Sequence, residues 1–170
     1  MAYRKVKFSE LSEDDMVPDI EVEHAKIALK NFSGNRFNPG GERSFRFVIE
    51  DPEMADQLAQ DGWNVKIKAS DEGEPYMYLP VALGYKVEGR KSKVYMDENG
   101  RRTELKEDSV HLLDDVFIEN ANLLIHPGYS IDDITGKVHI KAWLGIMYAF
   151  VSSRDRDPWA DNYVDEERPF

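Results

Sequence analysis

Cationic and aromatic side chains recur together along the middle of the chain. Lys26, Lys30 and Phe32 are followed by Arg36, Phe37, Arg43 and Arg46, and then by Lys66 and Lys68 with Tyr76 and Tyr78. The series runs on through Tyr85, Lys86, Arg90, Lys91, Lys93 and Tyr95 and closes on Lys141 and Trp143. This mixture has a definite chemistry. Ammonium and guanidinium groups follow a phosphate backbone, while rings stack on unpaired bases for about 1–3 kcal/mol per base without demanding a sequence. A duplex reader instead carries a basic recognition helix, and none is legible here. Each residue also has an ordinary reading, because strand aromatics pack in cores or across strands and outward lysines are solvated. As a set, they read as an interface for a single-stranded nucleic acid.

Other chemistries leave little trace. No P-loop, G-x-S-x-G or H-E-x-x-H occurs. His24, His111, His126 and His139 share no metal-ligand spacing, although His126 and His139 flank a turn and could face each other across a hairpin. Asp114-Asp115 and Asp132-Asp133 suit turn and cap roles. Cysteine is absent, which removes disulfides, thiolate metal sites and cysteine nucleophiles. The expectation is a binding protein with no catalytic residues, no metal and no cofactor.

The elements that must position the interface read mainly as strands. Alternation predicts strands over Val22–Phe32, over Phe45–Ile49, over Trp63–Ala69 and over Tyr76–Tyr85, with Pro80 marking an edge or a bulge. Asp51 as N-cap, Pro52 at the first position and Gly62 as the stop bracket a short helix between the second and third strands. Asn99-Gly100 is a hairpin signal. SVHLLDDVFI suggests a second short helix, and two apolar strands follow across DDITG. Five to seven strands with close turns favour a small barrel or a sandwich over βαβ repeats.

At 170 residues one domain is expected. No run of about eighteen apolar residues marks a membrane span, and MAYRKVKFSE lacks the apolar centre of a signal peptide. A cytoplasmic, soluble protein is expected. The net charge of −11 seems hostile to a polyanion, but residues 9–23 carry −7 and residues 157–170 carry −4. The body between them is close to neutral, so a local basic face is allowed. The last segment, DPWADNYVDEERPF, has neither strand nor helix periodicity. Asp165, Glu166, Glu167, Pro169 and Phe170 form an acidic tip with an aromatic anchor, suited to a basic pocket on a partner protein; an untethered chain end is the plainer reading.

The ending DEERPF resembles the acidic tip, closed by Pro-Phe, of bacterial single-stranded DNA-binding proteins. The body, notably NPGGERSFRFVIEDPEMADQLAQDGWNVKIK and ENANLLIHPGYSIDDITGKVHIKAWLGIMYAF, resembles the OB-fold single-stranded DNA-binding proteins of bacteriophages. Arg168 interrupts the acidic run, and the long Gly/Pro/Gln-rich linker of the bacterial family is missing. The resemblance implies a mainly β, OB-fold-like small barrel with one or two short helices. It would comprise an acidic lead-in over 1–20, a DNA-binding domain over 21–154 and a flexible acidic tail over 155–170. It further implies sequence-independent coating of single-stranded DNA in phage replication or recombination, in the host cytoplasm, as a monomer or homodimer. The tail would recruit replication or recombination proteins. A different class of reading stays open: an acidic, β-rich inhibitor that mimics nucleic acid and binds a host or virion protein.

Overall fold

A computed structural model describes residues 3–5, 16–34, 42–69, 74–86, 91–132 and 134–151. The described residues form one sheet of nine strands. In chain order these are β1 (Tyr3–Lys5), β2 (Ile20–Asn31), β3 (Ser44–Ile49), β4 (Lys66–Lys68), β5 (Tyr76–Ala82), β6 (Lys93–Glu98), β7 (Arg101–Leu105), β8 (Ile118–Asp132) and β9 (Val138–Val151). One α-helix, α1 (Pro52–Asp61), and one 3-10 segment, η1 (Val110–Asp115), complete the set. The mainly β reading therefore holds, with more strands than the alternation alone revealed. The lead-in, read as irregular, contributes β1, which pairs with the far end of β8.

The sheet closes on itself. β2, β3 and β5 run antiparallel in sequence, and β8 returns to lie beside β2, which is the four-strand Greek key order. β9 then fills the gap, parallel to β5 and antiparallel to β8, so that β8-β2-β3-β5-β9 is a ring. The hairpin β6–β7 continues outward from the C-terminal half of β9. Closure removes free strand edges from the ring and encloses a core. Phe45, Leu79, Val81, Ile125 and Met147 are at its centre, and α1 adds Ala55 and Leu58 to the same cluster.

Local chemistry accounts for the elements. The Asp51 carboxylate accepts from the Glu53 N–H at 3.0 Å, Pro52 opens α1, and Gly62 closes it at φ 107°. Asn99 and Gly100, at φ 54° and 83°, make the two-residue turn with both residues left-handed that a β6–β7 hairpin requires. Pro80 is neither at an edge nor in a bulge, because β5 is interior. It falls between the residues that pair with β4 and those that pair with β9, where no ladder bond is needed on that side. Leu29, which alternates with Lys30 and shares the side of Ala25 and Ile27, is half exposed, since β2 changes register between Ala28 and Asn31 and Leu29 itself sits at φ 48°. Ile67 is likewise exposed, because β4 is a three-residue strand paired on one side. SVHLLDDVFI does coil, as a 3-10 segment.

The segment η1 is tied to the end of β2 by charge. The Asp114 carboxylate accepts from the N–H groups of Phe32 at 2.7 Å and Ser33 at 2.9 Å. The Lys30 ammonium donates to the carbonyls of Leu113, at 2.9 Å, and Val116. Replacing Asp114 by Ala should lower stability in urea unfolding by about 2–3 kcal/mol, because two partly buried amides lose a charged acceptor. Asp115→Ala, at an exposed neighbour, should change stability by less than about 0.5 kcal/mol.

Candidate nucleic-acid interface

Strand register places part of the cationic and aromatic set on one outward face. Lys26 lies opposite Val48, Val48 opposite Tyr78, and Tyr78 opposite Lys66, a single row across four strands. Lys68 lies opposite Tyr76. In the next rows Arg46 opposes Pro80, and Ser44 opposes Ala82, which opposes Trp143. Lys141, two residues before Trp143, shares its face. The period of two that buries Phe45, Phe47, Leu79 and Val81 thus turns Arg46, Tyr76, Tyr78, Lys141 and Trp143 outward.

Arg46 organises the centre. Its guanidinium carbon is 4.1 Å from the centroid of the Tyr78 ring, and its Nη1 donates to the Tyr76 hydroxyl at 3.0 Å. The two tyrosine rings are 5.8 Å apart. A guanidinium stacked on a ring is held in one plane, where its remaining N–H groups can meet phosphate oxygens and its open face can meet a base. Tyr78 itself is only 8% exposed, so it serves the face through Arg46.

At the β9 end, the Trp143 indole lies over glycines. A Cβ on Gly128 would be 2.6 Å from its Cδ1 and Nε1, and one on Gly84 would be 3.3 Å from its Cζ3. The Lys141 ammonium is 4.6 Å from the ring centroid and is bound by the Glu42 carboxylate. His126, opposite Trp143 on β8, pairs with Asp19 at 3.0 Å. A groove of about 850 Å³ opens alongside, lined in part by Glu42, Gln60, Pro80, Lys137, His139 and Lys141.

Other members of the set are placed elsewhere. Phe32 has no exposed surface and packs against Phe45 with centroids 5.7 Å apart, which leaves no face for a base. Its neighbour Lys30 spends its ammonium on η1 carbonyls, and Arg43 donates to the Phe32 carbonyl at 2.6 Å. Lys86 and Lys91 are exposed beside the β5–β6 connection, whereas Lys93 and Tyr95 belong to a second outward patch. There Tyr95 stacks on Tyr148 at 5.0 Å, and Arg102 lies 4.5 Å from the Tyr148 centroid. Arg36, Phe37, Arg90 and the tail residues Asp165, Glu166, Glu167, Pro169 and Phe170 lie outside the described residues.

Lys137, His139, Tyr148 and Arg102 are not in the cationic and aromatic set read from the sequence, where His139 figures only as a possible partner of His126. The first two were legible, since Lys137, just before β9, alternates in sequence with His139, Lys141 and Trp143 on it. The suggested facing of His126 and His139 does not occur: the β8–β9 register sets His126 against Trp143 and His139 against Ser130. Among the described residues no group of three His, Asp or Glu side chains is placed to hold a metal ion.

A family model described as "Putative phage ssDNA-binding domain" matches residues 11–166. The chain belongs to this family. No curated protein matches it. The span that makes it a phage ssDNA-binding domain takes in β2 through β9, and therefore the whole outward face; β1 and the terminal Pro169-Phe170 fall outside it.

Tyr85 on this phage ssDNA-binding domain gives a clean test of side-chain burial. Its hydroxyl is buried without a hydrogen-bond partner among the described residues. Burial pushes its pKa up to about 12, against a partial lowering by the nearby Arg43 charge. A tyrosine in the unfolded chain ionises near 10, so the Tyr85 contribution to stability should be constant below about pH 10 and be lost as the pH rises from about 10 to 12. Tyr85→Phe should be neutral to stabilising by about 1 kcal/mol. It should also flatten that alkaline decline in chemical denaturation.

Proposed function

We propose that the outward face of β2, β3, β5 and β9, with β4 beside it, binds single-stranded DNA without regard to sequence. The observation that carries the reading is the register, which brings Lys26, Lys66 and Lys68, the Arg46–Tyr76–Tyr78 cluster, and Lys141 with Trp143 onto one surface. The family membership supports the same partner. The ring order supports an OB-like barrel, whose second and third strands carry oligonucleotide in such folds; here those strands are β3 and β5. Cations spaced along the face meet phosphates, and Trp143 and Arg46 offer planes to splayed bases.

The protein acts by coating DNA during phage replication or recombination, and it does no chemistry on its ligand. Its acidic C-terminal segment recruits partner proteins through Phe170 and, when DNA is absent, competes for the basic face. A tethered arm has an effective concentration in the millimolar range.

Titration with dT oligomers of increasing length should show tight binding with a log K against log salt slope of about −0.7 per phosphate contacted. Arg46→Ala and Lys66→Ala should each weaken binding severalfold and reduce the slope by about 0.7. Equal affinity for duplex, or no binding at low salt, would overturn the reading and favour the nucleic-acid mimic.

Removing residues 157–170 should raise oligomer affinity and abolish capture of replication partners. A drop in affinity would instead make the segment part of the DNA site.

A further inference from the structure

We propose that Trp143 is a base-stacking subsite that the free protein keeps closed, with Lys141 as the cap and Glu42 as the positioning residue that latches it. Glu42 holds the Lys141 ammonium in the manner of a DNA phosphate. The proposal rests on the single-stranded DNA reading of the same face.

The indole is built as a platform. The ring fits closely against Gly84 and Gly128, where any Cβ at Gly128 would come within 2.6 Å of it. Stacking needs an open ring face, and the Lys141 ammonium stands over the ring, 4.6 Å from the centroid. An ammonium on a ring is favourable in itself, but a long lysine chain samples many rotamers. Glu42 removes that freedom by binding Lys141 Nζ with its Oε2. Both side chains are about half exposed, at 49% and 48%, so the pair is weak and exchangeable. Glu42 and Lys141 also line the groove that runs on past Lys137 and His139, which places the latch at the junction between the stacking face and that groove. The ligand chemistry follows. A nucleobase takes the place of the ammonium on the indole, and the phosphate attached to that nucleotide takes the place of the Glu42 carboxylate on Lys141.

A surface salt bridge with no role in binding would behave differently from a latch, and a double-mutant cycle on the full chain separates them. Glu42→Gln should tighten dT oligomer binding about twofold to fivefold, the range expected from freeing one exposed ion pair. Lys141→Ala should weaken binding, and adding Glu42→Gln to it should produce almost no further change. In the free protein, acrylamide quenching of tryptophan fluorescence in a Trp159→Phe background should rise with Glu42→Gln, because Trp63 is 4% exposed and the change reports Trp143. An equal gain from Glu42→Gln with and without Lys141 would reduce Glu42 to a general repulsive charge and overturn the latch. Unchanged quenching would do the same, with the DNA reading intact. Failure of the unaltered chain to bind the oligomer would overturn the DNA reading and the subsite together, even if quenching rose.

Discussion

The pairing of β8 with β9 is the constraint on which the barrel depends. It runs from Ile118 opposite Val151 to Ile131 opposite Val138, nearly the full length of both strands. Through it β9 reaches β5 on one half and β6 on the other. Without this ladder β2, β3, β5 and β8 would be an open sheet with two exposed edges. The ladder shifts register between Leu124 and Ile125. That shift lets Leu144 and Met147, three residues apart, both stay in the core. It also puts Gly145 where a Cβ would be 2.4 Å from His126 Nε2, so closure of the ring and the placing of His126 beside Trp143 share one structural cause.

Closure also decides which cations remain available on the surface. Lys30 and Arg43 look like binding residues by type, yet both donate to backbone carbonyls near the end of β2, Lys30 to those of Leu113 and Val116 and Arg43 to that of Phe32. Arg46 and Lys141 sit on rings instead, and each ring lies outside the core packing. The negative charge is distributed to match. Asp19, from the acidic stretch before β2, and Glu42, just before β3, meet His126 and Lys141 on either side of Trp143. A protein with a net charge of −11 can present a cationic face to a polyanion because its net negative charge lies in the two end segments, while carboxylates beside Trp143 are held in weak, exchangeable pairs.

Much of the local structure was legible. The Asn99-Gly100 turn, the Asp51 and Gly62 caps of α1, and the alternation in β3 and β5 each follow from the conformational preference of a few adjacent residues. Which individual aromatic or lysine reaches the surface stays open in the sequence, because residue type and alternation do not decide it. Phe32 and Tyr76 look alike in sequence, but one is wholly buried against Phe45 and the other stands outward beside Arg46. Pro80 misled for a related reason, since an interior strand tolerates it only where two different neighbours leave a gap.

By itself the sequence determined the β class, the turns, the caps and the confinement of the net negative charge to the two ends, because period, φ preference and charge are properties of neighbouring residues. Only the tertiary structure decided that the ring closes through β8 and β9. It also decided that Lys26, Arg46, Tyr78, Lys66 and Trp143 share one face, and that Glu42 meets Lys141 from 99 positions away in the chain. These are matters of register between distant strands, and register is set by the whole core seeking to bury its apolar side at once.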